Sequence, residues 1–402
     1  ADAQIEKTTA EIDISTVKST HLVARGEVIK FDGFLKVYLE STKVDKEKNT
    51  GIIKIIGLDI NIFPFVKYDP LLELGGKDNE ENEFRTNFIL QGFDKLPNFS
   101  FYKNDNENLS FIVSKLKGAI NVEALQTFIS EKYYDYIVFE YQDKTAIFIP
   151  KWKERLAPTN DFHFAIDFGT TNTHIEYKKG EGSEIKTFEL SNYLGRLSSK
   201  KNVLKDKSNR EFIPDLISND TNFKFSQRTV IAATKSLNYR QPLQTVADFR
   251  IPFYYESTDH TFTSEYYSNL KWSNYAAESK RRIDPNAQEV RVKAFLEQLV
   301  LMMKAKVLTE EGRLKNTFFT WFFPSSMMPA RRTKLEKLWK ELITKHFYVN
   351  PINITKVTES IAPYAYYSKK EDIDSLLYPA VTIDIGGGTS DMVVFQDDKP
   401  LL

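Results

Sequence analysis

Two segments of this sequence share the same order of residue types, and together they constrain the fold more than any other feature. The first is FHFAIDFGTTNTHIEY, residues 162–177, and the second is PAVTIDIGGGTSDMVVF, residues 379–395. Each runs from an apolar strand pattern to an acid, then through glycine and hydroxyl residues into a second apolar strand pattern. Two such hairpins would face each other across a cleft if each begins a similar half of a domain.

The loops of these hairpins have the composition of a phosphate-binding site. Glycines let the backbone approach a bulky anion closely, so Gly386, Gly387 and Gly388 would offer N–H groups to phosphate oxygens. Asp384 ends its strand where a hydrated Mg²⁺ needs a carboxylate, because that ion takes few protein ligands. For the second loop taken alone, a glycine-rich hairpin without a ligand is the alternative interpretation.

The pair of segments resembles the actin, sugar-kinase and heat-shock-chaperone ATPase superfamily. DFGTTNT is similar to its first phosphate loop and DIGGGTSD to its second. EFIPDLIS (211–218) resembles the strand after the first loop, and VTESIAPYAYY (357–367) resembles the chaperone segment in which an acid precedes a helix of small residues. The resemblance spans about residues 160–398. It implies an α/β, ribonuclease H-like actin/chaperone ATPase fold, incomplete at the C-terminus and preceded by a β-rich region.

The resemblance also implies roles for individual residues. Asp167 and Asp384 would hold Mg²⁺ through its water ligands, and Glu359 and Asp391 would position the water that attacks ATP. The residues expected to contact the β and γ phosphates lie in the two loops and are Gly169, Thr170, Thr171, Asn172, Gly386, Gly387, Gly388 and Thr389. Phosphoryl transfer needs mainly positioned charges and amide donors, so ATP and Mg²⁺ are the implied cofactors. A turn or capping carboxylate is the alternative for each acid.

The sequence departs from the family pattern at three places. The chaperones have a proline directly after the acid, whereas Ser360 follows Glu359 here. Their lysine near the γ-phosphate has its best match in Lys235, for which an exposed surface lysine is the alternative. The chain ends at Leu402, soon after the second loop, so we expect the adenosine-binding motif to be absent. These departures leave open whether this chain itself hydrolyses ATP.

Residues 158–402 alternate between predicted strands and helices, which is typical of a layered α/β domain. A helix is predicted over about 287–308, where five apolar residues fall on one face: Val292, Phe295, Leu296, Leu299 and Met303. TFFTWFF (317–323) predicts a buried strand that ends at Pro324. A second amphipathic helix is predicted from the spacing of Leu335, Leu338, Trp339 and Leu342.

Residues 1–157 are predicted to be rich in strands and to form two regions. Residues 1–45, including HLVARGEVIKFDGFLKVYLES, resemble a segment of the type IA DNA topoisomerases without their catalytic residues. Residues 51–157 would form an accessory domain of unknown role. Within it, YDYIVFEY and TAIFIP predict a hairpin, and VEALQTFIS predicts a helix.

Composition limits the remaining functional classes. The chain has no cysteine, which removes disulfides and thiolate sites, and 55 basic residues balance 55 acidic ones. Zero net charge gives no overall field that attracts nucleic acid or anionic lipid, so we expect no membrane partner and disfavour a nucleic-acid partner. No signal-peptide pattern or membrane-length apolar run is present, so the expected location is the cytoplasm.

Three functions are consistent with these features. The first is an ATP-binding protein of the chaperone or actin-like type that hydrolyses ATP as a conformational switch, with a protein partner or polypeptide client. The second is an inactive scaffold with the same fold. The third is a DNA-associated protein that acts through the topoisomerase-like segment.

Overall fold

The structure is a computed structural model. It describes residues 3–4, 10–13, 27–29, 35–39, 43–45, 50–53, 58–68, 84–91, 97–103, 111–117, 123–130, 133–141, 144–150, 152–190, 195–198, 226–234, 237–239, 243, 245–246, 251, 264–273, 285–370, 378–388, 390–397 and 399–401. The chain divides into two compact units, one of residues 1–156 with 192–210 and one of residues 157–191 with 211–402.

All regular elements among the described residues of the first unit are strands. They are β1 (Ala3–Gln4), β2 (Ala10–Asp13), β3 (Glu27–Ile29), β4 (Leu35–Leu39), β5 (Lys43–Asp45), β6 (Thr50–Ile53), β7 (Leu58–Phe63), β8 (Val66–Lys67), β9 (Phe84–Gln91), β10 (Asn98–Tyr102), β11 (Phe111–Lys117), β12 (Glu123–Ser130), β13 (Tyr136–Tyr141), β14 (Lys144–Pro150), β15 (Lys153–Glu154) and, later in the chain, β19 (Gly195–Ser198). One sheet has the order β1, β19, β7, β9, β12, β11, and another has the order β10, β13, β14, β4, β3. Smaller sheets are β2-β6-β5 and β15-β8. The described part of residues 1–157 is therefore strand-rich, as the sequence predicts.

The two larger sheets of this unit pack against each other through aromatic side chains. Phe88 of β9 stacks on Phe99 of β10 with ring centroids 3.6 Å apart, and Phe128 of β12 lies 5.1 Å from Phe101 of β10. These rings are buried, as expected of the inner faces of two stacked sheets. The resemblance of residues 1–45 to a topoisomerase segment stays a prediction.

One prediction in this unit is wrong and another is confirmed. VEALQTFIS does not form a helix: Glu123–Ser130 is strand β12, which pairs antiparallel with both β9 and β11. Residues 126–130 are all buried, and a short strand buried on both faces shows no alternation that would distinguish it from a helix. The predicted hairpin is present, since β13 and β14 pair antiparallel.

The second unit mixes strands and helices, which confirms the predicted α/β character. Its elements are β16 (Phe162–Phe168), β17 (Asn172–Lys179), β18 (Lys186–Thr187), β20 (Gln227–Arg228), β21 (Ile231–Thr234), β22 (Ser264–Tyr267), α1 (Pro285–Thr309), β23 (Phe318–Phe323), α2 (Pro329–Phe347), β24 (Ile354–Thr358), α3 (Ile361–Lys370), β25 (Ala380–Ile385), β26 (Ser390–Gln396) and β27 (Lys399–Leu401), with short 3-10 helices at Leu270–Trp272 and Pro351–Asn353. EFIPDLIS lies outside the described residues. Among those residues, no helix combines the length and apolar character needed to cross a membrane.

The central sheet of this unit has the strand order β18, β17, β16, β23, β24, with β20 also paired to β17. The first three strands are antiparallel, whereas β16, β23 and β24 run parallel. The carboxyl ends of parallel strands meet at one edge of a sheet, where ligands of α/β folds commonly bind. Asp167, the turn at Pro324 and Glu359 therefore share that edge.

The helices cover this sheet as the apolar patterns predict. Both predicted helices form, as α1 and α2, and the predicted strand is β23. Phe168 of β16 lies 5.8 Å from Phe295 of α1 and 6.4 Å from Trp339 of α2. Pro329 begins α2, where its missing N–H costs nothing, and Tyr348 ends it in a left-handed conformation.

The second predicted hairpin belongs to a separate antiparallel sheet, β25-β26-β27. One face of this sheet packs against α3, where the ring of Tyr364 stacks on Phe395 with centroids 3.7 Å apart. The opposite face exposes apolar side chains, including Ile383, Ile385 and Met392. This sheet is therefore attached to the rest of the unit on one side.

Candidate functional site

The first loop connects β16 to β17 and is held in place by Thr229. The Thr229 N–H donates to the Thr171 carbonyl at 2.8 Å, and its hydroxyl donates to the Gly169 carbonyl at 2.8 Å. The same hydroxyl is 2.8 Å from that of Thr173. A Cβ at Gly169 would overlap the carbonyl oxygen of Asn172, so only glycine permits this turn. A fully buried threonine thus fixes the loop.

The second loop lies in direct contact with the first, so the two hairpins face each other, but the cleft predicted between them is closed at this contact. A Cβ at Gly387 would overlap the Thr171 hydroxyl, and a Cβ at Gly388 would come within 2.6 Å of the Thr170 methyl group. These two glycines therefore allow the close approach of the loops. Gly386 is exposed at the start of the loop, and Thr389 lies outside the described residues.

Four carboxylates belong to this region. Asp167 pairs across its hairpin with His174, and Glu359 directly follows β24. Asp384 and Asp391 lie directly opposite each other on β25 and β26. Like charges at directly opposed positions destabilise a sheet, so the second hairpin carries an arrangement that a bound cation would stabilise.

A buried lysine, Lys271, pairs with one of these acids. Its ammonium group donates to the Glu359 carboxylate, and the side chains of Lys271 and Glu359 are only 2% and 11% exposed. Lys271 lies on the 3-10 helix Leu270–Trp272. The sequence analysis missed it because LKW belongs to no motif, and no signal in the sequence identifies it. Lys235, the lysine that the sequence analysis selected, lies outside the described residues.

The charges of these groups influence one another. Burial among the surrounding protein atoms raises the pKa of Asp167, although part of its side chain reaches solvent; Lys271 and His174 oppose this rise and Asp384 adds to it. Burial also raises the pKa of Glu359; Lys271 opposes that rise, and Asp167 and Asp391 add to it. The acids are therefore close enough to repel one another.

The residues present fit a divalent cation. The described residues of the site include four carboxylates and one ammonium group, so the site has an excess of negative charge. Within the described part of the chain no three His, Asp or Glu side chains form a metal cage. Mg²⁺ does not need one, since it keeps most of its water ligands and binds through one or two carboxylates. Asp167 and Asp384, whose charges interact, are the pair suited to hold it.

Ser360, which directly follows Glu359, connects three parts of the site. Its hydroxyl is 2.8 Å from that of Ser325 in the turn after β23, and its carbonyl accepts a hydrogen bond from Thr382 of β25 at 3.1 Å. The preceding Glu359 N–H donates to the Phe323 carbonyl at 2.9 Å. A proline here would lack the hydroxyl that reaches Ser325.

Trp272 contacts the first loop from the same 3-10 helix. Its indole N–H donates to the Thr170 hydroxyl at 2.7 Å, and the guanidinium of Arg331 lies 5.6 Å from the ring centroid. The helix therefore contributes both the partner of Glu359 and a hydrogen bond to the first loop. The sequence analysis did not predict a role for Trp272.

Most of the predicted site residues thus lie on the two contacting loops and the sheet edge beside them. They are Asp167, Gly169, Thr170, Thr171, Asn172, Glu359, Asp384, Gly386, Gly387, Gly388 and Asp391. Two others, Lys235 and Thr389, lie outside the described residues.

Comparison with known proteins gives little further information. No protein-family model matches the sequence, and no curated protein matches it. Among solved structures, the chain is similar to MreB 5 of Spiroplasma citri bound to AMPPNP, at 13% identity and a TM-score of 0.33, over 61% of this chain and 51% of that one. The match thus spans about half of that protein. A DUF4426 family protein from Pseudomonas aeruginosa PAO1 is similar at 10% identity and a TM-score of 0.11, over 41% of this chain and 91% of that one. At these values neither likeness supports a conclusion about this chain.

Proposed function

We propose that this chain binds ATP with Mg²⁺ at the two loops of its second unit, as an ATPase of the actin or chaperone type. The observation that carries the proposal is the contact of Gly387 and Gly388 with Thr171 and Thr170 beside a group of carboxylates. Glycine amides and threonine hydroxyls are suited to phosphate oxygens. The strand order of the central sheet is compatible with the expected ribonuclease H-like fold.

Each group of the site has a role in this proposal. Asp167 and Asp384 would hold the Mg²⁺, which would neutralise charge on the phosphates. Glu359 would orient the attacking water and accept its proton, since burial raises its pKa towards the range useful for a general base. Lys271 would hold the Glu359 carboxylate in place and supply the positive charge that the sequence analysis assigned to Lys235.

The contact between the loops means that nucleotide binding would require a conformational change. Because Gly387 touches Thr171, phosphates can enter between the loops only if these separate. Binding and hydrolysis would then change the spacing of the two hairpins, as a nucleotide switch requires. The cytoplasmic location and a protein partner or client stay predictions.

The inactive scaffold is the second candidate, and one observation favours it. The Lys271 ammonium is paired with Glu359, and in the scaffold this pair would serve stability alone, without a water to activate. In that case nucleotide would bind without turnover. Binding and hydrolysis therefore need separate measurements. DNA association stays a prediction that no described residue supports.

The test is calorimetric titration of Mg-ATP into the wild-type chain and into Asp167→Asn and Asp384→Asn. We expect both substitutions to weaken binding about tenfold or more, as loss of a charged ligand implies. The matched controls are Glu181→Gln and Asp397→Asn, which change exposed acids in the turns that follow the two hairpins. Absence of wild-type binding, or equal weakening in the controls, contradicts the proposal. Release of phosphate by the wild type separates the ATPase from the scaffold.

A further inference from the structure

A cavity of about 470 Å³ lies beside the first loop, and apart from Thr170 and Thr171 its lining consists of residues to which the sequence analysis gave no role. Thr170 and Thr171 form its border with the loop, and Arg228, Thr229, Tyr266 and Ser268 contribute to the rest of its lining. A volume of this size suits a small-molecule ligand. Tyr266, one of the lining residues, has half of its surface exposed.

The chemistry of the lining is that of an anion site. Among the described residues that line the cavity, Arg228 is the one charged side chain, and hydroxyl groups come from Thr170, Thr171 and Ser268. None of the four carboxylates of the neighbouring site belongs to the lining. Among the described residues, the four carboxylates of the candidate cation site therefore lie outside the cavity lining, and the lining itself suits a phosphate.

We propose that this cavity is a phosphate-binding site in which Arg228 is the charged ligand and the hydroxyls of Thr171 and Ser268 are donors. A guanidinium matches phosphate geometry through paired N–H donors. The phosphate is either the end of the nucleotide's phosphate chain or a separate phosphate-bearing ligand. The inference does not require the proposed function, because no carboxylate or metal takes part.

The position of the cavity couples it to the first loop. Arg228 pairs with Asn172 in the β17–β20 register, and the next residue, Thr229, makes the hydrogen bonds that fix the loop. A phosphate bound to Arg228 therefore acts on the strand segment that anchors Gly169 and Thr171. Occupation of the cavity stabilises the loop in its present conformation.

The test is titration of sodium tripolyphosphate, without Mg²⁺ and with EDTA, into the wild-type chain. Omission of the metal removes the contribution of the carboxylates. We expect Arg228→Gln to weaken binding about tenfold or more, as loss of a charge-assisted hydrogen bond implies. Arg228→Lys should have an intermediate affinity, because it keeps the charge but not the paired N–H donors. Arg313→Gln, an exposed arginine that pairs with Asp161 outside the cavity, serves as the control and leaves affinity unchanged.

Each outcome bears on the inference. Metal-free binding that depends on Arg228 and persists in Asp167→Asn supports it, and competition with Mg-ATP then shows whether the phosphate belongs to the nucleotide or to another ligand. Absence of binding by the wild type, or equal binding by Arg228→Gln, overturns the inference. Mg-ATP binding in either of those cases leaves the proposed function standing. Unfolding curves of the Arg228 variants check that β20 remains intact.

Discussion

Lys271 and Glu359 form a buried ion pair between positions 88 residues apart in the chain. The lysine comes from a 3-10 helix and the glutamate from the end of β24. Removing one member of a buried pair leaves the other charge in a poorly solvated place. The pair therefore links the stability of the second unit to the arrangement of its candidate site.

Substitution of Lys271 by Met should destabilise the chain by about 3 kcal/mol, because Glu359 loses its buried partner. Urea unfolding followed by far-ultraviolet circular dichroism measures the change. The double variant Lys271→Met with Glu359→Gln should recover part of the loss, since the unpaired charge is then gone. Lys293→Met, which breaks an exposed pair with Glu341, should cost less than about 1 kcal/mol. Equal losses in the two single variants would show that the buried pair has no special role.

Stability should fall as pH rises above the ordinary carboxylic acid range. The folded-state pKa values of Asp167 and Glu359 are raised, so the folded state holds protons that the unfolded state has already lost. Their contribution is fully present below the unfolded pKa of about 4 and disappears as pH passes through the raised values.

Asp167→Asn should therefore be more stable than the wild type above this window and similar to it below. Melting temperatures measured from about pH 4 to about pH 8 test the expectation. Mg²⁺ should raise the melting temperature of the wild type near neutral pH and have a smaller effect on the variant. A variant that is less stable than the wild type at neutral pH would contradict the raised folded-state pKa of Asp167, which burial and, to a smaller extent, Asp384 cause.

Gly387→Ala should push the two loops apart, because its Cβ would overlap the Thr171 hydroxyl. We expect a loss of about 1 to 3 kcal/mol, as is usual for overpacking. Thr171→Gly removes the obstructing side chain, so the double variant should recover most of the loss attributed to the overlap. A double-mutant cycle by urea unfolding measures this coupling, and additive effects would show that the loops do not touch in solution.

Trp272 should report ligand binding beside the first loop by its fluorescence. The chain has four tryptophans, and Trp272 is hydrogen-bonded to the first loop through Thr170. Addition of Mg-ATP should change the emission of the wild type but leave that of Trp272→Phe nearly unchanged. Phenylalanine keeps a ring beside Arg331 but removes the indole N–H. A signal that persists in the variant would come from another tryptophan.

The sequence predicts those parts of the site in which local pattern and function coincide. Asp167 and Gly169 belong to a strand–acid–glycine pattern that predicts both the turn and its phosphate-binding chemistry. The helices α1 and α2 are predicted by the spacing of their apolar residues. Lys271 and Arg228 could not be predicted in this way. Their roles arise from contacts between segments far apart in the chain, and neither residue stands in a recognisable motif.

The error at β12 has the same origin. Residues 123–130 are a strand because β9 and β11 supply hydrogen bonds on both sides, and the sequence of the segment does not contain that information. Ser360 is a similar case: the sequence marks it only as a departure from proline, whereas its hydrogen-bonded contact with Ser325 requires knowledge of the neighbouring strand end.

The unequal attachment of the two loops determines which of them can move. Thr229 and Trp272 hold the first loop through several hydrogen bonds. The second loop belongs to a separate sheet, one face of which is exposed. When a ligand separates the loops, the displacement should therefore fall on β25-β26-β27. Thr382 would transmit that displacement to Ser360 and the adjacent general-base candidate. The first hairpin would keep its position, and the second hairpin would undergo most of the displacement.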